Sequence, residues 1–191
     1  LGEDKLNETA KELGIGSTVK ISGEIEAFRG KFNVKNAPDD LLGWTGIGQG
    51  DTRIAPITML RIVSAIANDG NAVSFNIVDD FANQAGKALN ISLPSNKSTL
   101  MSAETASQIK QMMRYNVQKQ YGDSNYSGLN LCAKSGTAQI DSNDNHNIAW
   151  FTGFMDDPNN PYAFVVVVEN GNSGSRTAGP IANKILQKLV S

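Results

Sequence analysis

The sequence predicts an α+β fold, an antiparallel sheet flanked by helices. Three observations predict it. The first two-thirds of the chain carries apolar stripes at helical spacing. The last third carries three strand-like runs joined by turn-rich connections, and one more helical stripe closes the chain. With 191 residues, 40% hydrophobic and 19% charged, the chain is long enough for one domain with a sizeable core.

Taken in order, Leu6, Ala10 and Leu13 fall on one helical face and Gly14 is a stop signal. Residues 15–43 have no clear period and read as mostly irregular. "GWTGIGQGD" (43–51) holds four glycines in nine residues, so it reads as a turn with unusual backbone angles. Pro56 sits near the first position of a helix, where its missing N–H costs nothing. Ile57, Leu60, Val63, Ile66 and Ala67 form the stripe of that helix and Gly70 ends it. "AVSFNIV" (72–78) reads as a short strand and 82–99 as a surface excursion. Ser102 is a good N-cap for a helix to about Gln118, with Ile109, Met112, Met113 and Val117 facing inward. Strands are expected at 129–140, 147–155 and 162–169, the third apolar enough to be covered on both faces. Pro180 opens a final helix with the stripe Ile181, Ile185, Leu186 and Leu189.

The net charge of −2 gives no polycationic surface for nucleic acid or an anionic membrane. No run is apolar for long enough to cross a bilayer; "AFVVVV" (163–168) is strand-sized. "LGEDKLNETAKELG" is charged from its third residue, unlike a signal peptide. Cys132 is the sole cysteine, which excludes an internal disulfide and leaves the compartment open. The chain opens directly on a helical pattern, the expected look of a fragment of a longer protein.

The run with chemistry in it is "LNLCAKSGTAQID" (129–141). Lys134 offers a compact cation for a carboxylate, and Ser135 and Thr137 share one face of a strand, joined by Gln139. Such a run grips a substrate but supplies no obvious attacking group. By itself it reads as an ordinary strand with a surface lysine. Its ordered neighbours reverse that reading: "GIGQG" followed by Pro56 and Met59, "IANDG" (66–70), "AKSGTAQ" (133–139), "IAWFTGF" (148–154), "PYAFVVVVENG" and "AGPIANKIL".

In this order and company the chain resembles the C-terminal part of the penicillin-binding protein transpeptidase domain, whose acyl-serine fold is shared with serine β-lactamases. The likeness spans nearly the whole chain. "KSGTAQ" before "AWFTGF" is most similar to the monofunctional transpeptidases; bifunctional relatives more often carry Thr where Ala138 stands. The family lines its site with Ser-x-x-Lys, Ser-x-Asn and Lys-Ser/Thr-Gly, and places the first two before the Gly-Ile-Gly-Gln-Gly turn. The resemblance therefore implies that residues 1–191 are the C-terminal portion of one such domain, with the nucleophilic serine upstream. It implies an electrostatic role for Lys134, a hydrogen-bonding role for the Ser135 hydroxyl and an oxyanion-hole donor in the Thr137 backbone N–H. Gly136 would let the substrate backbone approach closely, and the strand, with Gln139, would pair with an extended peptide by edge addition.

The activity implied is that of a D,D-transpeptidase cross-linking peptidoglycan, acylated by a stem peptide ending in D-Ala-D-Ala or by a β-lactam. The alternatives are a β-lactam-sensing receptor domain, a non-catalytic cell-wall peptide-binding module and a serine β-lactamase. No metal or organic cofactor and no nucleic acid is implied. The family acts at the extracytoplasmic face of the cytoplasmic membrane, anchored by a segment outside this chain and in contact with cell-wall synthesis proteins.

Decoys exist. Ser17-Thr-Val-Lys20 and Ser107-Gln-Ile-Lys110 both match Ser-x-x-Lys, and Ser74-Phe-Asn76 matches Ser-x-Asn. With 16 serines and 12 lysines, about one Ser-x-x-Lys is expected by chance. A compact triple of Ser17, Ser74 and Lys134 puts Ser74 after "GIGQG", against the family order. His146 reads as a solvated loop residue. "DSNDNHN" echoes a calcium loop at Asp141, Asn143 and Asn145 but lacks the required Gly at His146 and Glu at Thr152. Cys132 reads as a buried structural thiol, Met112 and Met113 as helix stripe, Trp44 as a core anchor and Arg176 as a solvated loop charge.

Overall fold

A computed structural model describes residues 2–78, 81–89, 91, 98–140 and 146–191. Helix α1 (Gly2–Glu12) buries Ala10 and is followed by Gly14 at φ +80°. A short hairpin follows, β1 (Lys20–Ile21) antiparallel to β2 (Ile25–Glu26). Helix α2 (Asp39–Gly46) comes next. Apart from this hairpin and the start of α2, residues 15–43 are irregular, as expected; α2 corrects the expectation that 43–51 is wholly a turn. Pro38 is extended at the start of α2, and Asp39 and Asp40 lie in its first turn, where carboxylates meet the positive end of the helix dipole. The turn proper is what remains, with Gly48 at φ +80° and Gly50 at φ +70°, angles that glycine adopts without steric cost.

Helix α3 (Pro56–Ala67) has proline in its first turn, as expected, and buries Val63, Ala65 and Ile66. The strand expected at 72–78 is reduced to β3 (Asn71–Ala72), with one further bridge from Phe75 to Ile21. Within the expected excursion, β4 (Phe81–Ala82) and β5 (Ala88–Leu89) form a hairpin, and β6 (Ser98–Thr99) returns to pair antiparallel with β3. Helix α4 (Ala103–Asn116) is capped as expected: Ser102 Oγ accepts the Thr105 N–H at 3.1 Å. Beyond Asn116 the chain continues into a wide π-type turn (Val117–Gly122) and a tight 3₁₀ turn (Asp123–Tyr126). Met113 and Val117 are buried, but Met112 is 64% exposed, against expectation. Successive residues on a helix point about 100° apart, and the sheet packs on the Met113 side.

The sheet is an antiparallel meander of β7 (Leu131–Ala138), β8 (Ile148–Met155) and β9 (Ala163–Val168), in that spatial order. Lys134 faces Thr152, Ser135 faces Phe151, Gly136 faces Trp150 and Thr137 faces Ala149. Each face of the sheet has its own core. Cys132 and Phe154 pack with Val63, Ile66 and Met113 from α3 and α4. Leu131, Ala133, Ala149 and Phe151 pack on the other face with Ala178, Ala182 and Leu186. β9 has neighbours on both faces, but it is an edge strand and every position is only half-buried.

Helix α5 (Gly179–Leu189) covers the second face. Its stripe differs from the one expected. Leu186 is buried, but Ile181, Ile185 and Leu189 are exposed, Ile185 by 52%. The inward positions are instead Gly179, Ala182 and Leu186. A Cβ on Gly179 would lie 2.8 Å from Tyr126 Oη. Gly179 thus lets the start of the helix approach the 3₁₀ turn closely, and the large residues Ile181, Ile185 and Leu189 point away from the core.

Candidate active site

The site grows from the edge of β7. In an antiparallel strand, alternate residues turn their N–H and C=O away from the partner. On β7 these are Ser135 and Thr137. The Ser135 N–H donates to Tyr121 Oη at 2.8 Å. The Ser135 carbonyl accepts from Lys134 Nζ at 2.5 Å. The Thr137 carbonyl accepts from Gln49 Nε2 at 3.4 Å, which brings the glycine-rich turn to the strand from 88 residues away. The same alternation turns the Thr137 N–H outward.

The side chains divide between the faces. Lys134 stands between Cys132 and Gly136 on the α3–α4 side and is exposed. Ser135 and Thr137 do share a face, as expected, and it is the opposite one. Ser135 Oγ accepts from Tyr121 Oη at 3.0 Å, and Thr137 Oγ1 accepts the Gly174 N–H at 3.2 Å. Lys134 therefore reaches the Ser135 region by curling over the strand edge. Gly136 lies under the turn Gly174–Ala178: a Cβ on Gly174 would sit 2.2 Å from the Trp150 carbonyl and 2.5 Å from that of Gly136. Gln139 lies past the end of the strand and is exposed.

The decoys separate from this edge. Ser17, Lys20 and Ser74 do line one cleft of about 450 Å3, with Arg61, Ser98 and Thr99, but Lys134 does not line it. Lys20 is in a strand rather than on a helix with Ser17. Ser107 and Lys110 lie on α4, and Lys110 is paired with Asp156 at 3.0 Å, near the Leu131 end of the sheet. Cys132 is fully buried, and burial, reinforced by Asp156, pushes its thiol up to about 11, as fits a structural role. Trp44 is not a core anchor: it is 54% exposed. Arg176 and His146 are exposed; Asp141, Asn143 and Asn145 lie outside the described residues. Among the described residues no cluster of three His, Cys, Asp or Glu could hold a metal.

Two residues at this edge were given no role from sequence, Gln49 and Tyr121. Gln49 had a signal, its place inside "GIGQG". Tyr121 had none, because it belongs to no spacing pattern.

A family model, the penicillin binding protein transpeptidase domain, matches residues 1–187. The chain belongs to this family. Among its relatives is the peptidoglycan D,D-transpeptidase PbpA of Mycolicibacterium smegmatis, 26% identical over 153 residues, covering 78% of this chain and 31% of the relative. The peptidoglycan D,D-transpeptidase MrdA of Salmonella typhimurium is 29% identical over 168 residues, covering 75% of this chain and 26% of the relative. The structure of penicillin-binding protein A from M. tuberculosis, as its imipenem acyl-enzyme complex, superimposes with a TM-score of 0.82 at 23% identity. It covers 98% of this chain and 42% of that one. The transpeptidase-domain chain thus spans less than half the length of each, and its α+β fold is that of the family.

Proposed function

We propose that residues 1–191 are the C-terminal portion of one transpeptidase domain and supply the substrate grip of a peptidoglycan D,D-transpeptidase. The observation that carries this is the outward row of β7. There the Thr137 N–H and C=O lie beside the Lys134 ammonium on an exposed strand edge. An extended peptide adds to such an edge through its main chain, and its terminal carboxylate meets the lysine. In this reading a serine upstream of the chain attacks the carbonyl of the penultimate D-Ala and the terminal D-Ala leaves with a proton. The amine of a second stem peptide then takes the acyl group. The Thr137 N–H stabilises the oxyanion in both steps. Gln49 Nε2 gives way to the substrate amide N–H at the Thr137 carbonyl. A β-lactam carries its carbonyl and carboxylate to the same two places and stays attached. The names of the relatives and the acyl-enzyme state of the M. tuberculosis protein support this reading.

The work belongs at the extracytoplasmic face of the membrane. Among the described residues no helix is long and apolar enough to cross one. Intact-mass measurement after incubation with penicillin tests the proposal. The protein carrying this chain together with an upstream Ser-x-x-Lys helix should gain one penicillin mass, and residues 1–191 alone should gain none. A stoichiometric adduct on Ser17 would overturn it.

A further inference from the structure

Tyr121 makes two hydrogen bonds to the same residue. Its phenol oxygen accepts the Ser135 N–H at 2.8 Å and donates its own proton to Ser135 Oγ at 3.0 Å. A phenol has one proton, and it is committed to Oγ. The Ser135 hydroxyl, having accepted, still holds its own proton and must direct it away from Tyr121. Because the Ser135 N–H is also occupied, the only donor Ser135 can offer a ligand is that hydroxyl.

The phenol is held in place. Its ring meets the fully buried Phe151 edge-on, centroids 5.4 Å apart. The backbone on either side is clamped: Arg114 holds Asp123 through two contacts of 2.7 Å and also donates to the Leu131 carbonyl at 3.2 Å. Arg114 thus ties the turn carrying Tyr121 to the Leu131 end of the strand carrying Ser135. From the other side Lys134 Nζ reaches the Ser135 carbonyl, so an ammonium and an outward-directed hydroxyl flank one stretch of edge.

We propose that Tyr121 is a positioning residue that presets the Ser135 hydroxyl as a hydrogen-bond donor to the carboxylate of the substrate or β-lactam. The inference rests on the transpeptidase reading above. It separates from a packing role by a simple criterion. Packing serves any ligand, whereas a preset donor matters only to a ligand that bears the carboxylate.

The experiment uses the protein that carries this chain with its nucleophile. Second-order acylation rates are measured with benzylpenicillin and with its methyl ester, for the unsubstituted protein and for Tyr121→Phe, which keeps the ring on Phe151. The acid should react about ten-fold more slowly in Tyr121→Phe, and the ester should change by less than about two-fold. In a Ser135→Ala background, Tyr121→Phe should have no further effect on the acid. The ratio of acid to ester rates on one sample cancels any loss of folded protein, so a poorly folding variant still decides the matter. An unchanged ratio, or an undiminished Tyr121→Phe effect in the Ser135→Ala background, would overturn the inference and leave the transpeptidase reading standing. Absence of acylation in the unsubstituted protein would overturn that reading first.

Discussion

Lys134 is exposed, its ammonium rests on the carbonyl of its own neighbour, and it buries little apolar surface. Removing it should therefore cost the fold little and the reaction much. In the protein with its nucleophile, Lys134→Ala should slow acylation by roughly ten- to hundred-fold, the loss of a charge-assisted contact of ~1.5–3 kcal/mol acting in the transition state. The melting temperature should hardly move. Lys134→Arg should not restore the rate, because a planar fork does not replace a compact charge at a strand edge. Acylation kinetics beside a thermal melt measure both; an unchanged rate would make the edge scaffold. The placement of Lys134, Ser135 and Thr137 on one strand was legible in four consecutive letters. Their division between two faces was legible in principle from strand alternation. The partners Gln49 and Tyr121 were not: they arrive from 88 and 14 residues away, through tertiary contacts that leave no local period.

Elements fix how rigidly that edge is presented. The turn Gly174–Ala178 lies directly over the Gly136–Trp150 pair, with no room for a Cβ on Gly174. Its neighbours there are backbone atoms, which cannot swing aside. Gly174→Ala should destabilise by about 1–3 kcal/mol and loosen the bond to Thr137 Oγ1, so the denaturant midpoint and the acylation rate should both fall.

At the other end, Arg114 beside Asp123 holds that carboxyl below the usual carboxylate range, hydrogen bonding outweighing partial burial. The sign follows from linkage. A depressed folded pKa stabilises above the unfolded value of about 3.9 and loses that stability as pH falls through the folded value. The pair is part-exposed, with 25% and 45% of the two side chains accessible, so its worth is about 0.2–1 kcal/mol. Asp123→Asn should cost that much near neutrality, and the gap from the unsubstituted protein should close in acid; urea titrations at both pH values measure it. Elements were legible where period and punctuation agreed, as for α3, α4 and the meander. Helix α2 was hidden because Gly43 and Gly46 read as breakers, although Pro38 and the two aspartates were start signals. The stripe of α5 was misassigned because large apolar residues were given the core, whereas close packing used Gly179 and Ala182.

At the scale of the whole molecule, β7 is gripped from both faces. Cys132 belongs to the cluster with α3 and α4, and its neighbours Leu131 and Ala133 belong to the cluster with α5. The site strand is thus the shared wall of two cores rather than the rim of one. Leu186→Ala should cost about 2–5 kcal/mol by opening a cavity on the α5 side, and Val63→Ala about 1.5–3 kcal/mol on the α3 side. The two side chains lie on opposite sides of the sheet in clusters that share no packing partner, and sites without shared partners act independently. The double substitution should therefore cost the sum, within about 0.5 kcal/mol, in one cooperative urea transition. A coupling well above that would mean that the sheet transmits strain between its faces, through the buried Phe151 and Phe154 of β8. In that case acylation should fall more steeply in the double variant than either single variant implies, because both faces of the candidate site strand would yield together.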